Sequence, residues 1–293
     1  MQSNWIKISS GVLSAEIDPH GAQLSRLCDA ESRDLLWDGN AAVWAGRAPI
    51  LFPIVGVVAG GKYRLANNSY ELSRHGFARG KDFSIAALNA DSATFKLSAD
   101  ASTLKAYPFQ FELLVQFALR SATLSVTTTI RNLGNEAMPA SFGYHPAFRW
   151  PLPFGGERSS HTIEFETDEP EAVRRIDAAG LLTPAPHATP IKQRRLLLAD
   201  ALFENDVLIL DRVRSRSVSY GGERGPRLRI GLEGAPYLGL WMKPGAQFIC
   251  IEPWHGITDP VGFTGDFKDK PGVFVVGAGQ DLALPMTITL EGA

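Results

Sequence analysis

The stretch FQFELLVQFALRSATLSVTTTIRN, Phe109–Asn132, decides the fold. Its first part alternates large apolar residues with others from Phe109 to Leu119. Its second part, Leu124–Asn132, alternates again and is rich in β-branched residues. A period of two puts successive side chains on opposite faces of an extended chain, whereas a helix needs a period near 3.6. The short Arg-Ser-Ala break between the two runs predicts a hairpin.

The same form recurs outward in both directions. YRLANNSYEL (Tyr63–Leu72) folds about Ala-Asn-Asn, and SIAALNADSATFKLSA, HTIEFET, VLILDRVRSRSVSY, RLRIGLEG, FICIE and MTITLEG add further strands. Gly, Pro, Asn and Asp punctuate the gaps. Helix signals are sparse. The best short helical segment, RRLLLADALFEND (Arg194–Asp206), reads equally as a loop containing a turn. No βαβ alternation, fixed-period repeat or low-complexity tract is visible, so stacked antiparallel sheets are expected and a parallel-sheet fold is disfavoured. The Pro-rich WPLPFGGERSS (Trp150–Ser160) reads as a surface loop, since strand signals resume after it. The expectation is one domain across residues 1–293.

Composition narrows the function. With 293 residues and 45% hydrophobic content the chain can bury a large core, and a net charge of −2 offers no basic field for phosphate backbones or anionic lipid. Nucleic acid and membrane are not expected partners. The N-terminal MQSNWIKISSGVLSAEID has no leader pattern, and no run of 18 apolar residues occurs, so a cytoplasmic protein is expected. Cys28 and Cys250 are too few for a disulfide framework or a zinc-finger pattern and read as small buried hydrophobes.

Four stretches carry the candidate chemistry. WAGRAPILFPIVG (Trp44–Gly56) sets Arg47 before a Pro-bracketed apolar run, and an edge strand with a surface arginine is its ordinary alternative. HGFAR places His75 and Arg79 four apart. SFGYHPAFRW holds His145 before a proline, which restricts the preceding backbone to extended conformations and so aims the side chain. In FICIEPWHG, Glu252 ends an apolar strand core, where desolvation raises a carboxyl pKa towards neutrality and makes a better base. Together with Trp44, Phe52, Phe77, Tyr144 and Trp254 these groups suit a small polyol, rings covering C–H faces and polar groups reading hydroxyls. No phosphate-loop, zincin, nucleophile-elbow or dinucleotide fingerprint is present. A facial metal triad of His75, His145 and Glu252 stays open on spacing alone.

RAPILFPIVG, HGFAR, GYHPAF and CIEPWHGITD, in that order, resemble the aldose 1-epimerase (galactose mutarotase-like) family, especially its LacX-like branch. GAQLSRL and the late K-PGVFVVGAGQ segment fit as well, so the resemblance covers nearly the whole chain. It implies an all-β, single-domain antiparallel β-supersandwich, in agreement with the strand reading. It also implies interconversion of the α and β anomers of an aldose with no cofactor and no metal, by a monomer or homodimer. By that resemblance Glu252 matches the general base, His145 the general acid and His75 a histidine near the ring oxygen. Ordinary pKa values of about 4.3 for Glu and 6.5 for His would then need only modest tuning.

Arg47 matches the family's sugar-binding arginine. Arg79 sits where related hexose-6-phosphate mutarotases also read HGFAR, and a guanidinium favours phosphate; the LacX-like resemblance favours a free or uronic-type aldose instead. The family's sugar-binding aspartate is assigned to Asp206, with Asp211 behind it and a loop cap as the ordinary alternative. Trp254 is expected at the sugar, and His255 is a rim residue. His20, His161 and His187 are structural or exposed. Two rival functions remain, a non-catalytic carbohydrate-binding sandwich and a glycoside hydrolase, which needs a second carboxylate facing Glu252.

Overall fold

The computed structural model describes residues 4–292. Phe111–Arg120 and Thr123–Asn132 form the expected hairpin about a two-residue turn, in register from Thr123 opposite Arg120 to Asn132 opposite Phe111. Phe111, Leu113, Val115, Phe117 and Leu119 point inward from the first strand and Leu124, Val126, Thr128 and Ile130 from the second. Each large apolar side chain so buried contributes about 1.5–3 kcal/mol.

This hairpin lies inside a nine-stranded antiparallel sheet. Its strand order is Arg195–Leu197, Thr162–Phe165, Ser217–Gly221, Arg227–Gly231, Asp281–Glu291, Thr123–Asn132, Phe111–Arg120, Ser92–Ser98 and Ser84–Leu88. A second sheet runs Leu208–Leu210, Tyr237–Trp241, Phe248–His255, Phe142–Tyr144 and Ile50–Leu51, with Ala147–Arg149 also pairing on Phe248–His255. Inward residues of both sheets join one apolar cluster, Phe117 and Val126 from the first with Phe148 and Ile249 from the second. The architecture is the antiparallel all-β one expected.

Several local readings resolve. Arg194–Asp206 forms no α-helix: Arg195–Leu197 pairs with Thr162–Phe165 and a 3-10 turn covers Asp200–Phe203. Strand pairing outweighed the apolar Leu196–Leu198 run, which is too short to cover a helix face. An α-helix stands instead at Ala101–Ala106, where the Asp100 carboxylate accepts the Ser102 and Thr103 N–H groups. That is an N-cap the sequence carried but apolar periodicity did not mark. Cys28 and Cys250 are both buried free thiols. No helix among the described residues is long and apolar enough to cross a membrane.

The second sheet positions the site. Phe248–His255 is buried along nearly its whole length, which explains its continuous apolar run. Strand alternation puts Cys250, Glu252 and Trp254 on one face. Glycines make room for the Trp254 indole: a Cβ on Gly239, across from Glu252, would lie 2.4 Å from Trp254 Cζ2. Tyr144 anchors the neighbouring strand through its hydroxyl, which accepts the Thr128 N–H at 3.0 Å and donates to the Leu284 carbonyl at 2.6 Å. The next residue, His145, thereby follows directly from an anchored strand of the second sheet.

Candidate active site

A cavity of about 550 Å³ opens beside the second sheet. His75, His145, Glu252, Trp254, Asp206 and Arg79 all line it, so chain segments far apart in sequence converge on one space.

His145 and Glu252 form its buried floor. His145 Nδ1 lies 3.3 Å from Glu252 Oε2, but the orientation is not that of a hydrogen bond, and Nδ1 has no other partner. Trp44 stacks on the imidazole, with ring centroids 5.1 Å apart, and Trp241 meets it edge-on. His145 is 8% exposed and Glu252 1%, so neither charge is well solvated. Burial pushes the Glu252 carboxyl well above the usual carboxylate range, against the lowering hydrogen bond from the Trp254 indole at 3.2 Å. Burial also drops His145 to about 3. This corrects the expectation of modest tuning. A proton shared by the pair is therefore held on the Glu252 carboxyl in preference to the His145 imidazole.

His75 is held from behind. Its Nδ1 accepts the Gly56 N–H at 3.1 Å, and its backbone N–H donates to the Gly56 carbonyl at 2.7 Å. An imidazole that accepts at Nδ1 carries its proton on Nε2. Burial, with His145 and the nearby arginines adding to it, keeps His75 well below the usual histidine pKa. His75 is therefore a neutral donor. The glycine of HGFAR is required by geometry: Gly76 has φ +72°, and a Cβ there would lie 2.2 Å from the Phe52 carbonyl oxygen.

The remaining assignments divide. Asp206 adopts φ +63° at an exposed turn; its Oδ1 accepts the Val207 N–H at 2.7 Å, and its charge raises the Glu252 pKa further. It is thus both a loop cap and a cavity residue. Asp211 instead pairs with Arg174 at 3.0 Å. Trp254 lines the cavity, but its indole N–H is committed to Glu252. Arg47 is the correction. Its Nη1 donates to the Ser25 carbonyl at 3.0 Å and its guanidinium lies over the Trp5 ring, outside the cavity lining. Trp44, three residues earlier, faces the cavity in its place. Phe52 and Tyr144 are core residues, and Phe77 packs on Phe52.

Arg79 lines the cavity together with Arg74, to whose carbonyl its Nη2 donates at 2.9 Å. Neither guanidinium has a carboxylate within 4.0 Å among the described residues. Burial and the neighbouring Arg74 lower the Arg79 pKa. Trp241, Lys243, Gly180 and Thr258 also line the cavity and were missed in the sequence. Trp241 was legible in principle, since YLGLW alternates beside FICIE. His255 lies half-buried next to Gly256, with burial lowering its pKa to about 4, and does not line the cavity. His20 faces Asp82 at the surface, His187 is exposed, and His161 is a core residue whose Nε2 accepts the Leu152 N–H.

The triad of His75, His145 and Glu252 considered for a metal is not the group of donors that lies together. That group is His145, Cys250 and Glu252, within 4.8 Å of one another. A tetrahedral zinc holds such donors roughly 3.5 Å apart, closer than this spread.

A profile of the family described as aldose 1-epimerase matches residues 5–262. The chain belongs to the aldose 1-epimerase family. It is 32% identical to the chromosomal LacX protein of Lactococcus lactis subsp. lactis over 279 residues, 92% of this chain and 93% of that protein. Among solved structures it is similar to a galactose mutarotase related enzyme from Lactobacillus acidophilus, at 28% identity and TM-score 0.90 over 98% of this chain and 97% of that one. A galactose mutarotase-like protein from Lactobacillus casei matches at 28% identity and TM-score 0.91, over 98% and 100% of the two chains. The family membership and the galactose mutarotase-like fold agree with the motif order in the sequence.

Proposed function

We propose that the protein is an aldose 1-epimerase that interconverts sugar anomers by ring opening and closure. The observation that carries the proposal is the buried facing of His145 and Glu252 on the floor of a sugar-sized cavity. Opening a hemiacetal removes the proton of the C1 hydroxyl, forms the C1 carbonyl, breaks the bond from C1 to the ring oxygen and delivers a proton to that oxygen. Rotation about the C1–C2 bond and the reverse steps give the other anomer. One base and one acid suffice, and they exchange roles on closing.

Glu252 is the base and His145 the acid for opening. A carboxylate with an imidazolium carries the same single proton as a carboxylic acid with a neutral imidazole. Opening therefore converts the first state into the second, and the second is the one burial favours. The pair passes through the cycle with no net proton taken up. His75, neutral and with its proton on Nε2, donates to the ring oxygen or an adjacent hydroxyl and orients the sugar. Trp44 and Trp241 offer apolar faces, Asp206 reads hydroxyls, and no cofactor or metal enters the scheme.

Polarimetry on freshly dissolved α-glucose and α-galactose tests the proposal. Accelerated mutarotation above the buffer rate supports it. Tight sugar binding without acceleration would identify a non-catalytic carbohydrate-binding sandwich, and release of reducing sugar from an aryl glycoside would identify a hydrolase. A second reading, an aldose bearing a phosphate or carboxylate, is supported by the unpaired guanidiniums of Arg74 and Arg79 on the cavity wall.

A further inference from the structure

Thr258 and Asp259 follow Glu252 in the segment EPWHGITD, and both are buried. The Thr258 hydroxyl accepts the Val57 N–H at 3.0 Å and donates to the Gly180 carbonyl at 2.6 Å, so its hydrogen-bonding capacity is used on two separate loops. Asp259 repeats the pattern one residue on. Its N–H donates to the Val57 carbonyl at 3.0 Å, and its Oδ2 accepts the Ala59 N–H at 2.8 Å. Its Oδ1 lies 2.9 Å from the ammonium of Lys270, whose side chain is completely buried. The contact at Gly56 is equally close: with φ +71°, a Cβ there would lie 2.4 Å from the Thr258 Cβ.

Gly56 is the residue whose N–H occupies Nδ1 of His75. We infer that Thr258 and Asp259, with Lys270 neutralising the aspartate, are positioning residues that set the tautomer and aim of His75. The Gly56–Ala59 backbone is held at three points by the segment that follows the Glu252 strand. The Gly56 N–H therefore cannot turn away from the imidazole, and the proton stays on Nε2, facing the cavity. The same contacts join the segment after the Glu252 strand to the Gly56–Ala59 backbone, on which His75 rests through Gly56. Without them the imidazole could flip or take the other tautomer, and an acceptor would replace the donor beside the ring oxygen. The catalytic consequence rests on the mutarotase proposal; the tautomer assignment does not.

The test uses the full-length protein and begins without mutation. Nitrogen-15 NMR of the histidine side chains should show His75 neutral with its proton on Nε2 at pH 7, and amide exchange should show Gly56 and Val57 strongly protected. A proton on Nδ1, or rapid exchange at Val57, overturns the inference whatever the enzyme's activity. Thr258→Val keeps the side-chain shape but removes the hydroxyl; it should give a tautomer mixture at His75 and lower kcat about 10-fold or more, with a smaller change in KM. Thr258→Ser should restore both. A Thr258→Val protein with wild-type His75 shifts would show that the hydroxyl does not act through His75. Absence of anomerase activity in the wild type would count against the proposed function, while the NMR and exchange results would still decide the positioning role.

Discussion

Glu252 Oε2 stands between two nitrogens, the Trp254 indole N–H that donates to it at 3.2 Å and the His145 Nδ1 at 3.3 Å. Trp254 stabilises the charged carboxylate, burial opposes it, and burial is the larger effect. Burial thus reverses the ordinary order of proton affinity, so that a proton shared by the pair rests on Glu252 in preference to His145.

The two groups should act as a unit. Glu252→Gln and His145→Asn are each expected to lower the anomerisation rate at least 10²-fold, with circular dichroism and melting behaviour close to wild type. The double variant should be little worse than either single one. Near-wild-type polarimetric rates in either single variant would sink the assignment.

The pH profile follows from the shared proton. The one-proton state of the pair extends from about 3, where the second proton binds His145, up to the raised pKa of Glu252. Buffer-corrected kcat/KM should therefore hold its level as pH falls through the ordinary carboxyl value of about 4.5, drop only towards about 3, and fall on the alkaline side as pH passes the raised pKa of Glu252. An acid limb centred near pH 4.5 would mean that the two groups titrate as solvated side chains.

Stability should carry the same signature. The native Glu252 holds its proton above the ordinary value of 4.5, where the unfolded chain has released it. Its contribution is thus present at low pH and lost as pH rises towards its native pKa, at about 1.4 kcal/mol per pH unit. His145 acts oppositely, its contribution falling away as pH drops from 6.5 towards 3. Glu252→Gln removes only the first effect, so its stability relative to wild type should grow as pH rises above about 4.5. Urea unfolding midpoints of both proteins measure this, and a constant difference would show an unshifted carboxyl.

Arg79 should report the charge of the substrate. An arginine forks two hydrogen bonds onto an anionic group but binds a neutral hydroxyl more weakly. Arg79→Ala is expected to cost a 6-phosphorylated or uronic aldose on the order of 2 kcal/mol, about 30-fold in kcat/KM, and to leave free glucose nearly unchanged. Equal losses on charged and neutral sugars would place Arg79 in support of the His75 loop, through its bond to the Arg74 carbonyl.

The sequence by itself determined the sheets and the identities of the central residues. Period two in Phe109–Asn132 is a local property of a pleated chain, and it survived into the register of the hairpin. Likewise His75, His145 and Glu252 were marked by their neighbours Gly76, Pro146 and Pro253, which act on adjacent backbone alone. What only the tertiary structure decided is where side chains face and which protonation states they hold. Arg47 turned to the Ser25 carbonyl and Trp5 while Trp44 took the cavity, and Trp241 closed on His145 from another strand. The opposite shifts of Glu252 and His145, and the fixed proton of His75, come from desolvation and from a backbone N–H nineteen residues away. Desolvation depends on how many atoms from distant segments surround a group, and no local pattern in a chain encodes that number.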